Sequence, residues 1–228
     1  MKILFLNTWG GKTQHVLARF IQEQIKDTDI FCFQEAHTAV KFLCKDILSG
    51  YNEISDHKTT INKQIFFQTT YVRKEISLLS SQALLQEYPD CGLALYTHIR
   101  YKDTDVHLCN IHGIPKPGDK LDNAGRLKQS SELIDFFNDK RGIKIIGGDF
   151  NLLPNTRSVR LFEENGYHNL IEDYSIDTTR NQLSWQNYPN KQYYADYVFI
   201  NQETNVTQFV VPKNEISDHL PLILHIEV

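Results

Sequence analysis

The sequence predicts a mixed α/β fold with two β-sheets, and three observations carry that expectation. Strand-like and helix-like apolar patterns alternate over roughly the first fifty residues. A long middle stretch, residues 65–111, holds strand patterns only. After two more helical segments the chain returns to strands from residue 197 onward. A purely parallel βαβ array does not fit, because it needs a helix between successive strands.

Taken in order, residues 2–8 form a buried strand ending in a Gly10-Gly11 turn. Thr13 suits the N-cap of a helix whose apolar positions Val16, Leu17, Phe20, Ile21 and Ile25 keep helical spacing. Residues 30–33 are a short strand, and a second helix covers about 38–48. Residues 65–72, 75–79, 92–97 and 106–111 read as strands separated by turn residues. A helix over 126–138 carries Leu127, Leu133, Ile134 and Phe137 on one face. It leads into a strand at 143–146, expected to stop at Gly147-Gly148. A shorter helix near 158–165 precedes strands at 197–200, 206–211 and 222–228.

The chain has 228 residues, which at roughly 150 per domain leaves one large domain or two small ones. An apolar fraction of 41% with 23% charged residues excludes disordered and fibrous classes, and 13 Phe, 11 Tyr and 2 Trp can fill a sizeable core. Lys and Arg total 24 against 28 Asp and Glu, so the net charge of −4 argues against capture of polyanions by the whole surface. Any phosphate site must be local, built from a few cations or a metal. Cys32, Cys44, Cys91 and Cys109 lie singly among apolar neighbours with no CxxC pair, which reads as buried free thiols. The opening apolar run is too short for a signal peptide, and no stretch approaches the roughly 18 apolar residues of a membrane span. A cytoplasmic location is therefore the expectation. Nothing points to a protein partner.

Polar and acidic residues recur where apolar strands end or begin. Asn7 follows the first strand, Gln34-Glu35 the second, and Asn110 and His112 flank the end of 106–111. Asp149 and Asn151 follow 143–146, Asp196 opens 197–200, and Ser217-Asp218-His219 precedes the last strand. Each has an ordinary explanation alone: a turn residue, a first-turn acid, a loop cap. Six such strand edges in one chain point instead to side chains converging on one cleft.

The segments Leu6-Asn7-Thr8-Trp9, Phe33-Gln34-Glu35, Asn110-Ile111-His112, Gly148-Asp149-Phe150-Asn151, Asp196-Tyr197-Val198-Phe199 and Ser217-Asp218-His219-Leu220-Pro221 resemble, in order, those of the endonuclease/exonuclease/phosphatase superfamily. Ser184-Trp185 resembles its Ser/Thr-Trp motif. The resemblance spans residues 7–221. It implies a four-layer α/β/β/α sandwich of two packed mixed sheets, DNase I-like, with the site at one sheet edge. It also implies cleavage of phosphate esters with Mg²⁺ or Mn²⁺, and a phosphate-ester substrate, nucleic acid among the candidates. Because motif residues run from Asn7 to His219, the chain is expected to close as one domain, 1–228.

The residue types suit that chemistry. Phosphoryl transfer needs charge neutralisation, a positioned nucleophile and a stabilised leaving group. The resemblance implies Asp149 as the residue that orients and deprotonates water, with Asn151 beside it. It implies His219 on the scissile phosphate, held by Asp196, and His112 as a second imidazole on the phosphate or leaving oxygen. Asn7, Glu35 and Asp218 are the implied metal ligands, oxygen donors suited to a hard cation. In the loop 113–120, Lys116 and Lys120, with Arg126 at the following helix start, are candidates for substrate phosphate contact.

Departures from the family pattern narrow the substrate. Trp9 stands where the abasic-site branch usually has an acid, and no clear counterpart of that branch's Tyr exists. His112 resembles the DNase I-like, tyrosyl-DNA phosphodiesterase and phosphatase branches instead. Tyr194 replaces a cation common two positions before the later Asp, leaving Lys191 or another segment to substitute. Trp9, Trp185, Tyr193 and Tyr194 are available for stacking near the cleft. Three readings follow: a phosphodiesterase on nucleic acid or a nucleotide-derived diester, an enzyme on a small-molecule or lipid head-group phosphate such as an inositol phosphate or sphingomyelin, and a silent binding module. The full set of site residues speaks against the last.

Overall fold

The structure, a computed structural model, describes residues 1–186 and 191–228. Strand β1 (Lys2–Asn7) leads through a 3-10 turn at Trp9–Gly11 into helix α1 (Gln14–Gln24). Then come β2 (Ile30–Gln34), α2 (Thr38–Ile47), β3 (Tyr51–Thr59), β4 (Ile65–Arg73), β5 (Ser77–Leu84), β6 (Leu93–Tyr101) and β7 (Thr104–His112). The remainder is α3 (Ala124–Asn138), β8 (Ile143–Asp149), α4 (Arg157–Glu164), β9 (His168–Asn169), α5 (Leu170–Asp173), α6 (Gln182–Trp185), β10 (Asp196–Ile200), β11 (Asn205–Val210) and β12 (Leu222–Glu227).

Two six-stranded mixed sheets result, ordered β11-β12-β1-β2-β4-β3 and β5-β6-β7-β8-β10-β9. In each, one central pair is parallel, β1 with β2 and β7 with β8. Strand alternation then sorts side chains between layers. Ile3 and Phe5 of β1 join Ile30, Cys32, Leu108 and Ile145 in the core between the sheets. Leu4 and Leu6 point the other way, onto Leu17 and Ile21 of α1 and Val40 and Cys44 of α2. On the far side, Phe137 of α3 packs edge-on to Tyr96, and Phe162 of α4 stacks on Phe199 at 4.3 Å. The layers are those expected: helices, sheet, sheet, helices.

Three local expectations need correction. β8 does not stop at Gly147-Gly148 but runs on to Asp149. Both glycines serve close approach: a Cβ on Gly147 would lie 2.7 Å from the Phe5 ring, and Gly148, at φ +132°, would put one 2.3 Å from the Ile111 carbonyl oxygen. β3, which has no strand signal in the sequence, is an edge strand with Glu53, Ser55, His57 and Thr59 turned to solvent. Thr13 occupies the N-cap of α1, yet its hydroxyl donates to the Ile216 carbonyl, tying the helix start to the segment before β12. The four cysteines are free and buried, as their apolar surroundings predict. No helix among the described residues is long and apolar enough to cross a membrane.

Candidate active site

Strand register assembles the centre. At the ends of the two parallel pairs, Asn7 lies beside Gln34 and His112 beside Asp149. The antiparallel β8–β10 pair sets Asp196 opposite Asp149, so His112, Asp149 and Asp196 form one row across the second sheet. The sheets meet at this edge, where the Asn7 amide donates to Asp149 Oδ2 at 2.9 Å and to Glu35 Oε1 at 3.3 Å. Ser217 donates its hydroxyl to the Asn7 carbonyl at 2.6 Å, locking the Ser-Asp-His segment onto β1. His219 is further held by a bridge to Arg180.

Asp149 is the hub and is 1% exposed. Its Oδ1 accepts the Asn151 backbone N–H at 2.9 Å, while Oδ2 lies 3.7 Å from both His112 Nε2 and His219 Nε2. Burial raises its pKa, but the positive potential of His219, His112, Lys120 and Arg180 outweighs that and holds it at about 2. Asp196 is 2.9 Å from His219 Nδ1 and accepts the Thr179 hydroxyl at 2.8 Å. Burial pushes the Asp196 carboxyl up despite the His219 charge. For His219 itself burial acts downward, with Arg180 in the same direction, yet Asp196, Asp149 and Asp218 together outweigh them and the pKa is raised. The Asp196 contact therefore leaves Nε2 directed toward Asp149.

Beside this hub lies a cavity of about 740 Å³ lined by Trp9, Lys120, Asn151, Arg180, Trp185 and Asp218 among others. Trp9 has φ +51°, a left-handed conformation uncommon for a bulky residue, and its ring carries Lys12 Nζ 4.1 Å from the centroid. The Trp185 indole donates to the Gln192 carbonyl at 3.0 Å. Arg180 donates to Asp218 at 2.9 Å. Burial lowers the Lys120 pKa to about 8, with Arg180 acting in the same direction and the three site aspartates opposing it.

Of the residues singled out from sequence, Asn7, Glu35, His112, Asp149, Asn151, Asp196, Asp218 and His219 converge, and Lys120 lines the adjoining cavity. Arg126 requires correction as a phosphate contact. It is 0% exposed, and its guanidinium donates to the carbonyls of Ile114, Pro117 and Leu121 and to the Asp119 carboxylate. It is the internal strut of the 113–121 loop. Lys116 is exposed on that loop and contributes nothing to the cavity wall. Tyr194 turns its hydroxyl to the Ile176 carbonyl, and Lys191 stands 5.7 Å from the Trp185 ring centroid. Arg180, Lys120 and Lys12, from other segments, bring cations to the cavity wall. Arg180, Lys12 and Thr179 escaped sequence reasoning because no motif marks them; the bridge to His219 exists only once the chain has folded.

The donor set is compatible with a divalent cation. Glu35, Asp149 and Asp218 bring carboxylates to this edge, and Asn7 links the first two. Asp149, Asp196 and His219 also have ligand atoms within 4.8 Å of one another, but the His219–Asp196 contact occupies Nδ1.

The fold recurs in solved proteins at low sequence identity. A protein of the endonuclease/exonuclease/phosphatase family from Bacteroides thetaiotaomicron superposes with a TM-score of 0.79 at 17% identity, over 98% of this chain and 96% of that one. A mannosyl-6-phosphatase from the same organism gives 0.75 at 18%, over all of both chains. D. rerio TDP2 complexed with a single-strand DNA product gives 0.74 at 15%, over 100% of this chain and 99% of that one. Such likeness speaks for the fold. Compared by sequence with curated proteins, the chain matches none. Fold and site together define a phosphoesterase of the two-sheet sandwich class. The chain belongs to the Endonuclease/Exonuclease/phosphatase family, whose model matches residues 4–219. Members of that family are metal-dependent phosphoesterases, and so is this protein.

Proposed function

We propose that the protein is a phosphodiesterase acting on nucleic acid or a nucleotide-derived diester, with Mg²⁺ or Mn²⁺, and that residues 1–228 act as one domain. The observation that carries this is the convergence of two imidazoles and an amide on Asp149 Oδ2. An ionised Asp149 aligns the attacking water and takes its proton as the new P–O bond forms. Asn151, whose amide also donates to the Gly113 carbonyl at 3.2 Å, fixes the floor on which that water sits. His219, steadied by Asp196, donates from Nε2 to a phosphate oxygen, and His112 faces the same phosphate from the other side. Glu35, Asn7 and Asp218 are the residues to hold the metal, which when bound neutralises phosphate charge and stabilises the departing oxygen.

The aromatic and cationic wall supports a nucleotide-like substrate, since Trp9 and Trp185 offer stacking faces beside Lys120 and Arg180. A small-molecule phosphate is the second reading, favoured by the net charge of −4. Four free buried thiols suit a reducing compartment, so a cytoplasmic location belongs to the proposal. The purified protein should hydrolyse bis-p-nitrophenyl phosphate with Mg²⁺ or Mn²⁺, and chelation should abolish it. Asp149→Ala should lower kcat by about a thousandfold. Equal, metal-independent rates in both proteins would sink the mechanism. A panel of single-stranded DNA, duplex DNA, RNA, 5′-tyrosyl DNA and inositol phosphates separates the two readings: turnover of inositol phosphates alone overturns the first.

A further inference from the structure

Two cationic donors in the cavity beside Asp149 are left unsatisfied by the fold. Lys120 is 5% exposed, and its Nζ has no hydrogen-bond partner among the described residues. Arg180 gives one nitrogen to Asp218, while its Nε is buried without a partner among the described residues. Both line the same cavity, with Lys12 nearby. A buried cationic donor left without an acceptor is unfavourable, and native folds rarely retain one by accident.

A second buried lysine provides the contrast. Lys58, equally 5% exposed, donates its Nζ to the carbonyls of Tyr88, Cys91 and Gly92 at 2.6, 3.2 and 3.1 Å. Where this fold uses a buried ammonium structurally, it supplies acceptors. At Lys120 the described residues supply none, and the residue is held at φ +57°. A ligand anion in the cavity would supply the missing acceptors.

Asn151 and Asp218 of the reacting centre line this cavity, whereas Asp149, His112 and His219 do not, so an anion held by Lys120 and Arg180 sits beside the phosphate under attack. We propose that Lys120 and Arg180 form a subsite for a second, non-scissile phosphate, so that the preferred substrate carries two phosphates in neighbouring positions. This rests on the phosphoesterase reading above. An oligonucleotide end and a small bisphosphate both present that chemistry.

The test uses paired esters. Thymidine 5′-(p-nitrophenyl phosphate) has one phosphate, and its 3′-phosphorylated form has two. With Mg²⁺ or Mn²⁺ the wild type should show a KM about tenfold lower for the two-phosphate ester. Lys120→Met should erase that advantage, and Lys120→Arg should recover part of it. Binding is read independently by thermal unfolding. Thymidine 3′,5′-bisphosphate should raise the wild-type Tm more than thymidine 5′-monophosphate does, and this difference should vanish in Lys120→Met. Protection by myo-inositol 1,4-bisphosphate equal to that by the nucleoside bisphosphate assigns the subsite to small bisphosphates; protection by the nucleoside alone assigns it to nucleotide ends. Equal KM for both esters in the wild type, or an equal loss on both in Lys120→Met, overturns the subsite. Failure to hydrolyse bis-p-nitrophenyl phosphate with metal overturns the enzymatic reading instead, and the Tm comparison still decides the subsite.

Discussion

Asp149 and Asp196 face each other on one rung of the β8–β10 ladder, yet their surroundings drive them apart: Asp149 is held near 2 and Asp196 is raised. Such separation assigns different roles to like groups. Asp196→Asn should preserve the fold and lower kcat by a factor on the order of a hundred to ten thousand, since it removes the carboxylate that fixes the His219 tautomer. Steady-state kinetics beside a circular dichroism spectrum checks this, and an unchanged kcat removes Asp196 from the reaction. Lys120 offers a test by pH. Its folded pKa of about 8 lies below the ordinary lysine value, so the unfolded chain binds more protons between the two. Wild-type stability should therefore rise, relative to Lys120→Met, as pH climbs from 8 to 10.5, by roughly 2–3 kcal/mol. Arg180 lowers the pKa alongside burial, Asp149, Asp196 and Asp218 oppose it, and denaturant melts across that range read the difference. The acids, amides and imidazoles of the centre were legible because each sits in a short string at a strand end. Lys120 was legible as a cation but not as an unpaired one, and Arg180 not at all, because pairing is decided by distant segments.

At the scale of elements, the helix α3 and the loop before it act as one unit through Arg126. The sequence marks Arg126 as a cation near the site, and only its tertiary contacts reveal a strut with its charge spent on loop carbonyls. Arg126→Met should destabilise the protein by about 2 kcal/mol or more, because several acceptors lose their donor together. Hydrogen exchange concentrated in 113–121 would confirm the local origin; uniform loss would point elsewhere. The Phe5–Gly147 contact sets the spacing of β1 against β8. Gly147→Ala should cost about 1–3 kcal/mol in urea melts, and Phe5→Leu should recover part of it in the double variant. Strand periodicity located most of the ladder, since half-buried strands advertise themselves. β3 lacked that signal because an edge strand needs little apolar surface.

At the scale of the molecule, a polar seam crosses the otherwise apolar space between the sheets. Asn110 accepts from Gln34 at 2.7 Å and donates to the carbonyls of Phe33 and Thr69, while Gln68 donates to the Asn110 carbonyl at 2.7 Å. Asn110→Leu should lower stability by about 2–4 kcal/mol, leaving several buried groups unpaired at once. A urea midpoint equal to that of the wild type would show that the sheets dock without the seam. The sandwich itself was legible from an ordered set of motifs; the seam was not, since Asn110 looked like one more polar strand end. The termini of the motif set have a further consequence. β1, which carries Asn7, pairs with β12 on one side, and the Met1 amino group meets Ile226 across 225 positions. During synthesis β1 therefore waits with an open edge until β12 has been made. His219 is made only just before β12, so Asn7 and Asp149 wait, without their imidazole neighbour, for the segment that closes the first sheet.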